Sequence, residues 1–216
     1  MRTFVVPAVT LVLVGCSAGP SPDASPQAAS PPPAPAASQV VSGAPDTAGS
    51  VPGLPDSPYI FRFRQTEPGS SAFNYRDRDL SFYFRPSPTA LFFHVQNLQG
   101  RPVIIDWDHS QFIDVNERTY KIAHSTTRWR DRYSPLATTQ VSPQQDYSDF
   151  MFPVDYLMDP GATSDPDAQP HLPLIPLDGS APTYSGKTFG VDLVFMVEDR
   201  PRTYSFRYEV LSVIPR

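Results

Sequence analysis

From Tyr59 onward the chain alternates apolar and polar residues with a period of two, the spacing of a strand that covers one face. Leu91, Phe93 and Val95 fall on one side and His94 and Gln96 on the other, and Val103, Ile105 and Trp107 repeat the pattern beyond Gly100-Arg101. These read as strands joined by a tight turn. Near the C-terminus Phe189, Val191, Leu193, Phe195 and Val197 line one face, Glu198-Asp199-Arg200-Pro201 turns the chain, and Tyr204, Phe206, Tyr208 and Val210 line the next. That is the clearest hairpin. Weaker strands are predicted over 59–64, 80–85, 111–115, 119–123 and 137–141. No stretch of helical length keeps a 3.6-residue period. Prolines 160, 166, 170, 173, 176 and 182 bar a central strand from 158–182, which is predicted as long loops. Short strands separated by turn residues predict an all-β fold, a sandwich or a barrel.

Composition divides the chain before the first strand. Between Ser17 and Ser57 there is no Lys, no Arg and no aromatic residue, and the only charges are Asp23, Asp46 and Asp56. Such a Pro, Ala and Ser stretch cannot bury enough apolar area to offset the entropy of ordering it. It is predicted to be a disordered tether, with polyproline II character around Pro31-Pro32-Pro33. Every Tyr and Trp, and every Phe except Phe4, lies beyond it. The organisation predicted is therefore 1–15 signal peptide, 16–57 tether and 58–216 one β domain of ordinary size.

The N-terminus carries the most specific motif. Arg2, the apolar run 4–14, Gly15 and Cys16 follow the order of a secretory signal, and the run is too short to span a bilayer. Leu13-Val14-Gly15-Cys16 resembles a bacterial lipobox. The resemblance implies cleavage before Cys16, a thioether-linked diacylglycerol on its sulfur and a further amide-linked acyl chain. Each buried methylene contributes about 0.8 kcal/mol, so two or three chains hold durably where one does not. Ser17, rather than an aspartate, favours the outer over the inner membrane. Cys16 is the single cysteine of 216 residues, so no intramolecular disulfide can form and stability rests on the core. Loss of Arg2 takes the formal charge from −5 to −6, which argues against nucleic acid as a partner.

Within the domain, Phe93-His94-Val95-Gln96-Asn97 and the run Arg101-Pro102-Val103-Ile104-Ile105-Asp106-Trp107-Asp108-His109-Ser110-Gln111-Phe112-Ile113-Asp114 resemble a group of uncharacterised bacterial envelope lipoproteins. The shared pattern is an Asn ending one strand, a Pro-led strand ending in Trp, then Ser, Phe and Asp, then a His-Ser turn, here Ala123-His124-Ser125. Leu172-Pro173-Leu174-Ile175-Pro176 ahead of Gly186-Lys187 is a second shared element. The resemblance spans residues 91–213. It implies an immunoglobulin-like β-sandwich and brings no established activity. Where the group has a Gly after the aspartate-led turn, this chain has Val115-Asn116-Glu117-Arg118, and Asn116 is expected to take the left-handed conformation.

Candidate chemistry is sparse. Asp106, Asp108, Ser110, Asp114 and Glu117 have the oxygen spacing of a calcium loop, but Gln111 stands at the glycine of its sharp turn, so solvated turn carboxylates are the expected reading. His94, His109, His124 and His171 lack the spacing of a zinc site. His124-Ser125 with a distant aspartate makes a triad on paper without a nucleophile elbow, and His124 is expected to be a turn residue donating to backbone. No phosphate loop or cofactor motif is present in the domain, and no cofactor is expected. Arg128, Trp129, Arg130, Arg132 and Tyr133 form the candidate binding surface, with guanidinium forks for carboxylates or phosphates and flat rings for stacking. Its competing reading is local: Trp129 covers an end of the core and the arginines form a solvated edge. The function expected is non-catalytic binding by a membrane-anchored envelope lipoprotein, with an envelope protein or anionic polymer as partner. A small hydrolase of wall or surface glycans and a structural assembly factor are the alternatives.

Overall fold

The computed structural model describes residues 57–161 and 169–216. The signal segment, Cys16 and the predicted tether up to Asp56 lie outside them. Ten strands make up the described chain: β1 Tyr59–Glu67, β2 Asn74–Arg76, β3 Leu80–Pro86, β4 Leu91–Asn97, β5 Val103–Ile113, β6 Thr119–His124, β7 Thr139–Val141, β8 Asp146–Pro153, β9 Thr188–Val197 and β10 Arg200–Pro215. Among the described residues helix is confined to three short 3-10 turns, so the all-β prediction holds. Among the described residues no helix is long and apolar enough to cross a membrane.

The strands join in one antiparallel sheet of order β1-β10-β9-β5-β6-β8-β4-β3-β2, with β7 beside the start of β5. The sheet turns over at β6, whose first residues pair with β5 through Lys121 and whose last, Ile122 to His124, pair with β8. It curls so that its two halves face each other. Phe84 of β3 meets Phe206 of β10 at 4.4 Å between ring centroids, and Phe82 meets Phe195 of β9 edge-on at 5.5 Å, although β3 is not laddered to either strand. Edge-on and tilted aromatic pairs of this kind contribute about 0.5–1.5 kcal/mol each beyond the area they bury. The alternation in sequence thus fills the space between the halves, with Leu80, Phe82 and Phe84 inward on β3 and Tyr204, Phe206, Tyr208 and Val210 inward on β10.

Several local expectations are corrected. β4 and β5 are consecutive but do not pair. The short connection at Gly100-Arg101 is a corner between strands that ladder with different neighbours. Asn97 builds it: the side-chain amide donates to the carbonyls of Arg101, Val141 and Ser142, and its oxygen accepts from the Gln99 N–H. Residues 111–113 of the predicted strand 111–115 are the continuation of β5, not a strand of their own, and Asp114 and Val115 already lie in the turn that follows. The β5–β9 register slips between Asp106 and Gln111, where Ser110 donates to the Asp106 carbonyl at 2.6 Å and accepts from the Val194 N–H at 2.9 Å. Glu117, at φ 63°, takes the left-handed position in place of Asn116, whose N–H is held by the Asp114 carboxylate. The final hairpin turns on Glu198 and Asp199 alone, both with positive φ, because a two-residue loop of that geometry matches the strand twist; Arg200 and Pro201 already belong to β10. Between 158 and 182 the described residues hold no strand, only the isolated pairing of Leu157 with His171.

Candidate functional site

Strand β8, absent from the sequence reading, inverts the usual polarity of a sheet strand. Register fixes its faces: Tyr147, Asp149 and Met151 stand opposite inward Val95, Phe93 and Leu91, whereas Ser148 and Phe150 stand opposite outward His94 and Phe92. An acid therefore points into the aromatic core, and a half-buried phenylalanine stands on the opposite face, against buried Phe152.

The inward acid is fully engaged. Asp149 Oδ1 accepts from the N–H groups of Phe150 at 2.8 Å and Ser125 at 3.2 Å. Its Oδ2 accepts from the Ser125 hydroxyl at 2.9 Å, from the Tyr147 hydroxyl, and lies 3.2 Å from His124 Nδ1. Burial pushes the Asp149 carboxyl upward, but the His124, Tyr147, Phe150 and Ser125 donors outweigh it and hold it below the ordinary carboxylate value. Burial, aided by the neighbouring carboxylate, drives the Tyr147 phenol up. The His124 ring stacks on buried Trp107 at 4.3 Å, and the indole N–H donates to the Thr139 hydroxyl. His124 is thus a buried strand-end residue facing a carboxylate, which corrects the expected backbone contact. The three triad residue types do meet, in an order unsuited to acyl transfer: a nucleophilic serine must give its proton to the histidine. Here the Ser125 hydroxyl donates to the acid.

The outward side of the same strands forms a shallow groove of about 510 Å³, lined by Tyr83 and Arg85 of β3, Phe92, Phe93 and His94 of β4, Ser148, Asp149 and Phe150 of β8, and Ser125. Two cross-strand rows make its floor, Tyr83–His94–Ser148 and Arg85–Phe92–Phe150. The second row is a stack. The Arg85 guanidinium lies 4.7 Å from the centre of the Phe92 ring, Phe92 tilts against Phe150 at 6.0 Å, Phe150 stacks on Phe152 at 6.1 Å, and Phe152 on His171 at 4.1 Å. In the first row Tyr83 is 52% exposed and His94 Nδ1 lies 2.9 Å from the Ser148 hydroxyl. Asp149 is the one acid among the lining residues, and its carboxylate is committed to the inward network.

The predicted arginine-aromatic segment lies just beyond β6, on a 3-10 turn at Trp129–Asp131. The Arg132 guanidinium sits 3.4 Å over the Trp129 ring and 4.6 Å from the Tyr133 ring, and donates to the Trp129 carbonyl. Arg130 is exposed, Tyr133 donates to Asp155, Trp129 packs partly against the core, and Arg128 reaches the Ser125 carbonyl at the rim of the groove. The calcium-spaced oxygens are dispersed among other partners: Asp106 holds His109, Asp108 pairs with Lys121 at 2.9 Å, and Asp114 accepts from the Arg118 N–H and the Tyr156 hydroxyl. Among the described residues no group of three His, Cys, Asp or Glu is placed to hold a metal ion. The resembling motif is an architectural frame, in which Asn97 builds a corner, Trp107 and His124 stack, Ser110 spans a register slip and Asp114 closes a turn.

No family model, no curated protein and no solved structure matches the chain.

Proposed function

We propose that this is a bacterial envelope lipoprotein, held through acyl chains on Cys16 and sorted to the outer membrane, whose immunoglobulin-like domain acts by binding and not by catalysis. The groove over β3, β4 and β8 is its working surface. One observation carries the reading: half-buried Phe92 and Phe150, with the Arg85 guanidinium over Phe92 and exposed Tyr83 beside them, stand on the outward face of a sheet, where a domain with no partner has reason to place polar side chains. The facing halves of the curled sheet, with Trp107 buried between strands, support the sandwich assignment. A glycan hydrolase needs two acids flanking the substrate about 5–9.5 Å apart. Asp149 is the single acid among the groove's lining residues and is turned inward, while Asp146 at its edge is held against His94, which favours binding.

The test has two parts. Metabolic palmitate labelling marks the wild-type chain and fails to mark Cys16→Ser. Capture of envelope components by the full chain is lost in the Tyr83→Ala, Arg85→Ala double variant and retained in Arg130→Ala. Capture indifferent to the groove substitutions contradicts the assignment.

A further inference from the structure

The groove has two unlike rows set side by side, and their chemistry restricts what fits. Adjacent strands lie about 4.8 Å apart and successive outward residues of one strand about 6.8 Å apart, so the polar row and the aromatic row are separated by about the width of a sugar ring. Phe92, with Arg85 over one face, and Phe150, both half-buried, supply the apolar part of the groove, while Tyr83, His94 and Ser148 present hydroxyl and imidazole groups along one side. A hexose has the matching division, an apolar C–H face and a rim of hydroxyls. At the end of the aromatic row stands Arg85, which makes no ion pair among the described residues and is oriented by its stacking on Phe92. A guanidinium fixed in this way pairs with a carboxylate through two parallel N–H bonds. In a protein of formal charge −5, Arg85 is the cation among the groove's lining residues, with Arg128 at the rim and the His94–Asp146 contact at the edge, and it selects for an acid on the ligand. The volume lies within the range of small-ligand sites, and the shallow shape suits a chain that lies across the sheet.

We infer that the outward face of β3, β4 and β8 binds a hexuronate oligosaccharide, stacking a sugar ring on Phe92 and Phe150, bonding its hydroxyls to the Tyr83–His94–Ser148 row and pairing its carboxylate with Arg85. This rests on the binding role proposed above and names its ligand class. Polyuronate recognition would place the domain at an acidic surface polysaccharide.

The full lipidated chain, purified in detergent micelles, is titrated calorimetrically with trigalacturonate, with its methyl ester and with neutral chitotriose. The acid binds, and the ester and chitotriose bind at least about tenfold more weakly, a difference of about 1.4 kcal/mol. Arg85→Gln lowers affinity for the acid about tenfold and removes its advantage over the ester, while Phe150→Ala weakens acid and ester by the same factor. Absence of binding by the acid, or equal binding of acid and ester to the wild-type chain, overturns the inference, and neither result depends on a variant that folds. Saturation of the groove by a synthetic peptide of residues 30–36 overturns it in favour of the chain's own proline-rich segment. Failure of the trisaccharide with groove-dependent capture of another envelope component discards the saccharide and leaves the binding role standing. Failure of both discards the binding role as well.

Discussion

The Tyr208 hydroxyl is buried in the aromatic core without a hydrogen-bond partner among the described residues, and its phenol is pushed well above its ordinary pKa by burial. A buried donor left unsatisfied costs about 1–3 kcal/mol, whereas a phenyl ring of the same shape does not carry that cost. Tyr208→Phe is therefore expected to raise stability by about 1 kcal/mol in urea unfolding, and a loss of similar size would show that the hydroxyl is satisfied. Asp149 presents the opposite case, a carboxylate with more donors than a surface acid finds. Replacement by Asn removes the charge and turns an amide toward Ser125 and Tyr147, with an expected loss of about 2–4 kcal/mol at neutral pH. The pH dependence follows from the direction of its shift. A native carboxyl pKa below the unfolded value of about 3.9 adds stability that is complete above that value and vanishes as pH falls through the native one. Asp79 acts likewise. The Arg78 hydrogen bond, with Gln99 and Arg202, outweighs its burial and holds it at about 2. Unfolding midpoints measured from pH 7 to pH 2 should fall below pH 4 in the wild type and fall less steeply in Asp149→Asn, and parallel curves would contradict the assignment.

At the level of elements, the legible strands are those whose polarity agrees with their position. β4, β9 and β10 are legible because every second residue over most of their length meets core. β8 escapes because its polarity is reversed, with Asp149 inward and Phe150 outward, and β2 because three residues are too few to show a period. Disagreement between local pattern and position marks functional or strained sites. Here it marks the strand that joins the buried network to the groove, and that is the signal through which the groove could have been found. The arginine-aromatic segment is conspicuous in composition, yet Arg132 lies over one face of Trp129 and one of Tyr133, and Trp129 packs partly against the core. Composition cannot distinguish an offered ring from one already covered. Two elements have single points of failure. A methyl group at Gly190 would lie 2.2 Å from the Phe206 carbonyl and 2.7 Å from the Arg207 side chain, so Gly190→Ala is expected to cost about 2–3 kcal/mol by overpacking the β9–β10 ladder. Asn97→Ala strips three carbonyls of their donor and should cost about 2–3 kcal/mol, readable as a lower urea midpoint with an unchanged slope.

For the whole molecule, alternation shows which residues face inward but not which strands become neighbours. That is why the all-β class was legible and the place of β4 across from β5 was not. A period of two is the same whether a strand pairs with its successor or with one fifty residues on, as β4 does with β8. The N-terminal signal and the groove describe complementary halves of one proposal: acyl chains confine the protein to a surface, and a flat binding face engages what lies beside it. Fractionation of Cys16→Ser should move the protein from membrane to soluble fractions without altering its unfolding midpoint. The most direct measurement is photo-crosslinking in living cells from a reactive residue placed at position 96, the exposed outward residue of β4 beside the groove, with position 60 on β1 as the reference. The account predicts an adduct at 96 that requires Cys16, is absent at 60 and disappears in Arg85→Gln, whereas adducts of equal yield at both positions, or none at 96, would contradict it.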